Sequence, residues 1–353
     1  MRSTGIVRDN RYLEHRTGVN HVESPQRLET LYRMLDGKRL TARPVTIPPR
    51  LASLEEIHMV HTPEYIEKIL DTAGRSRLYL DPDTVTSERT CEAAFLAAGG
   101  AMEAVRSVME GRVDNAFAFI RPPGHHAERN RQMGFCIFNN TALAAEYARR
   151  TFSLKKIMIV DWDVHHPNGT QHIFEETGDV LLFSTHRYPF FPGTGAVNET
   201  GLGTGEGFTV NVPLTPRKGD GDYVRIYQEL LAPLALEFRP QLILVSAGFD
   251  PHHDDPIGGM RLTERGFAYC ADRVLEIAER TCAGRVVVLL EGGYDLTAVR
   301  KSARLVLETM CSGLADSVKE GLERSAAVDA DVDDIIDSVK ETHKPYWRCF
   351  NDD

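Results

Sequence analysis

The sequence predicts an α/β fold: a predominantly parallel central sheet with helices on both faces. Three observations lead there. From about residue 91 onward, helix-like stretches alternate with short apolar runs, the pattern of βαβ crossovers. The apolar runs are continuous and do not alternate in polarity, as expected of strands buried on both faces. Four of the runs end abruptly in polar residues with reactive side chains, and in open parallel sheets ligands bind outside the carboxyl ends of the strands.

Taken in order, residues 91–110 are Ala-rich and predict a helix, 116–120 a strand, 140–150 a helix and 156–160 a strand. Residues 180–184 predict a strand that leads into a Gly-rich loop over 193–207 and a short strand over 208–212. A helix over 223–238, a strand over 242–247, a helix over 263–281, a strand over 286–290 and a helix over 296–310 follow. Gly201-Leu202-Gly203-Thr204-Gly205 does not lie between a strand and an immediate helix, so it reads as a site-rim loop and not as a dinucleotide cradle. The charged tail, 315–353, carries Ile335, Ile336 and Val339 at helical spacing, which predicts an amphipathic helix docked on the body, with Tyr346-Trp347 as packing.

A chain of 353 residues can bury a large core, and residues 1–353 read as one domain. No Pro- or Gly/Ser-rich linker divides it, and a split would cut through strand-end motifs that run from Arg121 to Tyr294. The net charge of -10 argues against a nucleic-acid partner. Six dispersed cysteines without a C-x-x-C pair indicate neither a zinc ribbon nor a disulfide framework and suit a reducing compartment. With no apolar leader and no bilayer-length stretch, the expectation is a cytoplasmic protein that does not engage a membrane.

The chemistry gathers at the strand ends. The 156–160 run leads into Asp161-Trp162-Asp163-Val164-His165-His166, where residues two apart on an extended chain point the same way, so Asp163 and His165 can share one cation. The 242–247 run leads into Gly248-Phe249-Asp250, which supplies a second carboxylate. Two carboxylates and one imidazole leave a tetrahedral zinc ion with an open, catalytic position, and Fe(II) is a competitor for such a mixed N/O set. The 116–120 run ends in Arg121-Pro122-Pro123-Gly124-His125-His126; a rigidly presented His pair can act as general base and acid, although a lone His-His in a loop is more often surface decoration. The 286–290 run ends in Glu291-Gly292-Gly293-Tyr294, whose phenol can donate to a developing oxyanion. Phe135 and Phe191 lie in loops and can wall a narrow channel for an alkyl stem, though each taken alone would be core. His252 and His253 read as rim residues, and His21, His58, His61 and His186 as structural.

These motifs, in order and in register, resemble the zinc-dependent histone deacetylase family on its class II side: RPPGHHA at 121–127, GFCIFNN at 134–140, IVDWDVHHPNG at 159–169, FFPGTG at 190–195, VSAGFD at 245–250 and EGGY at 291–294. HVESPQRL at 21–28 and VHTPEYI at 60–66 extend the resemblance from about His21 to Met310. It implies an arginase/deacetylase-like fold and a stand-alone, bacterial-type histone deacetylase-like amidohydrolase. It also implies Asp163, His165 and Asp250 as zinc ligands, Asp161 orienting His125, and Asn168 holding His126. Further implied are a structural potassium ion at Asp161, Asp163, His165 and Ser184, a product channel at Arg27, and a substrate tunnel at Phe135, Phe191, Ile257 and Gly293, with Tyr294 at the transition state. Polyamine deacetylases of the family carry a gatekeeper Glu after the second Asp ligand; here the stretch is Asp255-Pro256-Ile257-Gly258-Gly259, so an acyl-lysine protein or peptide becomes the expected substrate.

The expected function is therefore zinc-dependent removal of acetyl or other acyl groups from lysine ε-amines. Its alternatives are deacetylation of acetylpolyamines or another acetylated small amine, and a catalytically silent acyl-lysine-binding module, which would have no need of ligands, His pair and Tyr together. A two-metal ureohydrolase would require carboxylates for ions about 3.5–4 Å apart. Homo-oligomerisation is left open.

Overall fold

The computed structural model describes residues 1–37, 40, 43–326 and 330–351. Among these, ten strands form: β1 (Thr4–Val7), β2 (Val45–Ile47), β3 (Arg77–Tyr79), β4 (Val85–Ser87), β5 (Asn115–Ala118), β6 (Ile157–Asp161), β7 (Val180–Arg187), β8 (Thr209–Leu214), β9 (Leu242–Ala247) and β10 (Val286–Leu290). Eight join one sheet in the order β2-β1-β5-β10-β9-β6-β7-β8. Every neighbouring pair in it is parallel, so all eight carboxyl ends share one edge. β3 and β4 form a separate antiparallel hairpin.

The central strands are buried along their whole length, and their apolar runs supply the core between two helical layers. β9 and β10 fall on the residues expected. β5 ends two residues early, whereas β7 runs on to Arg187 because β8 continues to pair with it. β1 and β2 were not foreseen, since Thr4-Gly5-Ile6-Val7 and a three-residue strand give no apolar run of strand length.

Helices follow the expected positions: Thr90–Met109, Asn140–Phe152, Glu264–Cys282 and Leu296–Ser312. Three start on side-chain caps, with Asn139, Thr263 and Asp295 accepting from backbone N–H groups of the first turn. The helix expected over 223–238 begins at Asp220 and widens into a π-type turn over Tyr227–Leu231 before resuming at Ala232–Phe238. Pro233 lacks the N–H that would bond back one turn, and the wider turn accommodates that gap.

The tail differs from the single helix expected. It forms two, Asp316–Ser325 and Ala330–His343, while residues 327–329 and 352–353 lie outside the described set. The second packs beside β8, at one edge of the sheet, where it covers backbone that would otherwise be open to another strand. Trp347 anchors the end: its Nε1 donates to the Gly207 carbonyl at 2.8 Å, and its ring meets Phe208 at 5.3 Å and Phe238 at 6.1 Å. All six cysteines are free thiols, and no described helix is long and apolar enough to cross a membrane.

Trp347→Ala should cost about 3–5 kcal/mol, because it leaves both a cavity and an unpaired Gly207 carbonyl. Urea denaturation monitored by circular dichroism measures it; an unchanged midpoint would show that the tail does not brace the sheet edge.

Candidate active site

The four middle strands β5, β10, β9 and β6 are neighbours, and each ends in one of the polar motifs. Asp163, His165 and Asp250, from the ends of β6 and β9, place one ligand atom each within 4.8 Å of one another, all buried. His165 Nδ1 lies 2.9 Å from Asp163 Oδ1 and 3.3 Å from Asp250 Oδ2. Asp163 Oδ1 accepts the His165 N–H and Asp163 Oδ2 the Gly292 N–H, both at 2.9 Å, while Asp250 Oδ1 accepts the Val164 N–H at 2.9 Å. Asp250 Oδ2 is buried and takes no well-formed hydrogen bond; the His165 ring nitrogen 3.3 Å away is its nearest charged neighbour.

Electrostatics show the same unmet need. Burial, then the neighbouring Asp163 charge, push the Asp250 carboxyl up to about 7. Burial disfavours a charge on His165, yet the two carboxylates hold its imidazole up at about 9. Burial also opposes the Asp163 charge, but His125 and His165 keep that carboxyl far below the usual carboxylate range. A divalent cation would complete this set, and two oxygens with one nitrogen suit zinc or iron(II). Gly292 is required beside it, because a Cβ there would run into the carboxylate oxygens of both Asp250 and Asp163.

Two other groupings of donor residues exist among the described residues. His125, Cys136 and Glu291 cluster, but Glu291 Oε2 already accepts the Gly124 and His125 N–H groups at 2.7 and 3.2 Å, and burial pushes the Cys136 thiol well up. His252, His253 and Asp254 form the other; there His252 Nδ1 accepts the Asp254 N–H, and His253 Nδ1 faces the Leu262 carbonyl.

The His pair differs member by member. His125 Nδ1 lies 3.1 Å from Asp161 Oδ2; burial opposes its charge, but Asp163 and Asp161 raise it to about 10. His126 Nδ1 lies 2.7 Å from Asn168 Oδ1, and the Asn168 amide nitrogen donates to Glu128 Oε1 at 2.7 Å. That amide orientation makes His126 Nδ1 the donor and leaves Nε2 as a bare acceptor. Burial, reinforced by the charges of His125 and His165, drives the His126 pKa well down, so it stays neutral. Asp161 also stands opposite Ser184 in the β6–β7 register and accepts the Asp163 N–H at 3.0 Å.

A cavity of about 190 Å³ with aromatic walls reaches His125, His126 and His165. Phe135, Phe191, Ile257 and Tyr294 line it. Gly292, not Gly293, is on its wall; Gly293 turns its carbonyl toward Arg27, whose Nε donates to it at 2.6 Å. Phe135 adopts φ +70°, strained for a side chain of that size, and meets Tyr294 edge to face at 6.0 Å. Arg27 lies behind Tyr294, its guanidinium 5.2 Å from the ring centre, and its Nη2 donates to the Glu291 carbonyl at 2.5 Å. Burial, followed by Asp250 and Asp163, holds the Tyr294 hydroxyl well above its ordinary pKa, so it remains a donor.

Several lining residues were not singled out from sequence. Phe190 stacks on His165 at 5.3 Å with 15° between planes, and Cys136 lies on the wall. Asp83, in the β3–β4 turn, also reaches the cavity, so the mouth is not without an anion as the Ile257 position alone implied. Nothing local in Asp81-Pro82-Asp83 signals this, because the hairpin meets the rim only through the tertiary fold. His61 and His186 are buried and hydrogen-bonded to backbone carbonyls, and His21 packs edge to face on Phe135.

Comparison with known proteins follows this geometry. The histone deacetylase domain profile matches residues 21–310. A protein of Archaeoglobus fulgidus described as a probable deacetylase is 38% identical over 98% of this chain and 99% of its own length. Histone deacetylase 15 of Arabidopsis thaliana is 39% identical over 87% of this chain, and the match spans 56% of that protein. The crystal structure of the HDA15 HD domain superposes with a TM-score of 0.91 at 35% identity, covering 99% of this chain and 96% of that one.

Asp250→Ala should abolish stoichiometric zinc binding, since two remaining donors make too weak a site. Elemental analysis of the folded variant checks it, and retention of one zinc per chain would show that the ligand set is misplaced.

Proposed function

The chain belongs to the histone deacetylase family, and we propose that it is a zinc-dependent amidohydrolase that removes acetyl groups from lysine ε-amines of proteins or peptides. The observation that carries the reading is the convergence, at one end of a narrow apolar cavity, of three buried donor atoms, a neutral imidazole and a protonated phenol.

A divalent ion held by Asp163, His165 and Asp250 would supply Lewis-acid polarisation of the amide carbonyl and acidify water at the site. The residues of the chain do the rest. Phe135 and Phe191 hold the lysine methylenes and keep bulk water from the scissile amide. His126 Nε2, free to accept, takes a proton from the attacking water and returns it to the departing amine. Asn168 fixes the ring orientation that this exchange requires. His125, held by Asp161, contributes positive charge beside the reacting centre. The Tyr294 hydroxyl donates to the oxygen on which negative charge develops. Arg27, reached by the Gly293 and Glu291 carbonyls, guides the carboxylate product inward, and a potassium ion at Asp161, Asp163, His165 and Ser184 belongs to the same proposal.

One observation favours a second reading, deacetylation of acetylpolyamines: Asp83 puts a carboxylate on the cavity rim. It is solvent-exposed, and attraction to a substrate ammonium there is screened. Ile257, on the wall itself, offers no charge.

Two experiments test the proposal. His126→Ala should keep its zinc and lose about 10²–10⁴-fold in turnover, the range for one acid–base group. Near-normal turnover across the pH range would move the base role elsewhere. Measured as kcat/KM, acetyl-lysine peptides should be hydrolysed better than acetylspermidine, and Ile257→Glu should move the preference toward the polyamine by about 1–3 kcal/mol. A native preference for acetylspermidine would replace the leading reading with the second.

A further inference from the structure

Asp255 takes no part in the chemistry described above, yet it is buried between two segments that do. Its Oδ2 accepts the Tyr294 N–H at 2.7 Å and the Asp295 N–H at 3.4 Å. Its Oδ1 accepts the Ile257 N–H at 2.9 Å and the Gly258 N–H at 3.2 Å. One carboxylate thus gathers four backbone donors, two from the turn after β10 and two from the loop after β9. Each of these segments puts a residue on the cavity wall, Tyr294 from one and Ile257 from the other.

The loop after β9 is braced independently. Gly258 presses against the backbone of Asp250, where a Cβ would collide with the Asp250 carbonyl oxygen. Arg187 donates to the Gly258 carbonyl at 3.4 Å and lays its guanidinium 4.2 Å from the centre of Phe190, the ring stacked on His165. The turn bearing Tyr294 follows two glycines, whose flexible backbone is held by Asp163 and Arg27 up to the Gly293 carbonyl; the next two N–H groups, those of Tyr294 and Asp295, go to Asp255. A charge-assisted bond from a braced loop to such a turn fixes the turn.

We propose that Asp255 is a positioning residue that tethers the Tyr294 backbone to the braced loop and so holds the phenol where the oxyanion forms. The proposal rests on the oxyanion role of Tyr294. An amide cannot replace the carboxylate, since its NH₂ would face one of the two donor pairs. A serine can keep the short turn to Ile257 and Gly258, as a side-chain hydroxyl does in local turns, but is too short to span to Tyr294.

The test is a double-mutant cycle on the zinc-loaded enzyme with an acetyl-lysine peptide, with metal content and thermal unfolding recorded for each variant. Asp255→Asn and Asp255→Ser should each lower kcat by about 10²-fold, the cost of about 1 Å of misplacement, with KM altered less than about threefold and zinc retained. In a Tyr294→Phe background both should cost less than about twofold, because there is no hydroxyl left to misplace. If the Asp255 variants lower kcat by the same factor with or without the hydroxyl, Asp255 is scaffold and the proposal fails while the role of Tyr294 stands. If Tyr294→Phe alone turns over normally, the role of Tyr294 falls, and the tether with it. Should Asp255→Asn not fold, Asp255→Ser decides by the same comparison.

Discussion

The structure is organised around a crowd of buried negative charge. Because four neighbouring parallel strands end at one edge, Asp161, Asp163, Asp250 and Glu291 arrive within one small, buried volume. Carboxylates brought together out of water repel one another and lose hydration, and both effects appear in Asp250 and Glu291, each raised to about 7 chiefly by burial. The chain answers with backbone N–H groups on five of the eight oxygens, with side-chain donors from His125 and Thr141 on two more, and with two imidazoles that take up charge. One acceptor, Asp250 Oδ2, is left over. Without a cation a site of this composition is poorly balanced, and a divalent ion would neutralise the excess beside the carboxylate oxygen that lacks a well-formed bond.

A second buried ionic layer lies behind the first. Glu23 bridges Arg27 and Arg121, all three fully buried, and His15 approaches the same carboxylate at 3.5 Å. Arg121 also donates to the Tyr12 carbonyl, and Arg27 to the carbonyls of Glu291 and Gly293. These contacts make the N-terminal segment part of the site's support, and Arg27 is its one residue with a role in the proposed reaction, on the product side. Replacing such a network with apolar groups could be neutral for stability, so its use is better sought in position: it fixes the backbone on either side of Gly292, whose N–H holds Asp163.

How much of this was legible depended on whether a feature was local. Each candidate metal donor follows an apolar run of strand length, so its place at a carboxyl end could be inferred without knowing the strand order. That β5, β10, β9 and β6 are neighbours could only be supposed from the convergence of their motifs, and the sheet shows it. What the sequence hid is non-local. Asp83 comes to the mouth on a hairpin, Phe190 stands next to the more obvious Phe191, and the place of Asp255 depends on bonds to residues 39 and 40 positions further on. Gly293 was misplaced by one residue, since a Gly-Gly pair carries no side chain to say which of the two faces the cavity. The split of the tail into two helices was hidden because hydrophobic spacing around Ile335 and Val339 says nothing about where an earlier helix stops.

The narrowness of the cavity sets the terms of specificity. At about 190 Å³ with phenyl rings on its sides, it can admit a methylene chain but gives few contacts by which to distinguish what that chain is attached to. A lysine side chain and a polyamine arm look alike inside it, both ending in a neutral amide. Discrimination must then come from the mouth, where the two differ by a charged amine or a peptide backbone. Two lining residues bear on that choice, the exposed carboxylate of Asp83 and the apolar side chain of Ile257. An exposed charge attracts both a cation and the polar backbone of a peptide without strongly preferring either, because water and salt screen it. The net charge of -10 acts over the whole surface and enriches polycations near it, but a diffuse field does not orient a ligand. Selection of a polyamine would need a desolvated anion on the wall, and Ile257, at the position the resemblance singles out, is apolar.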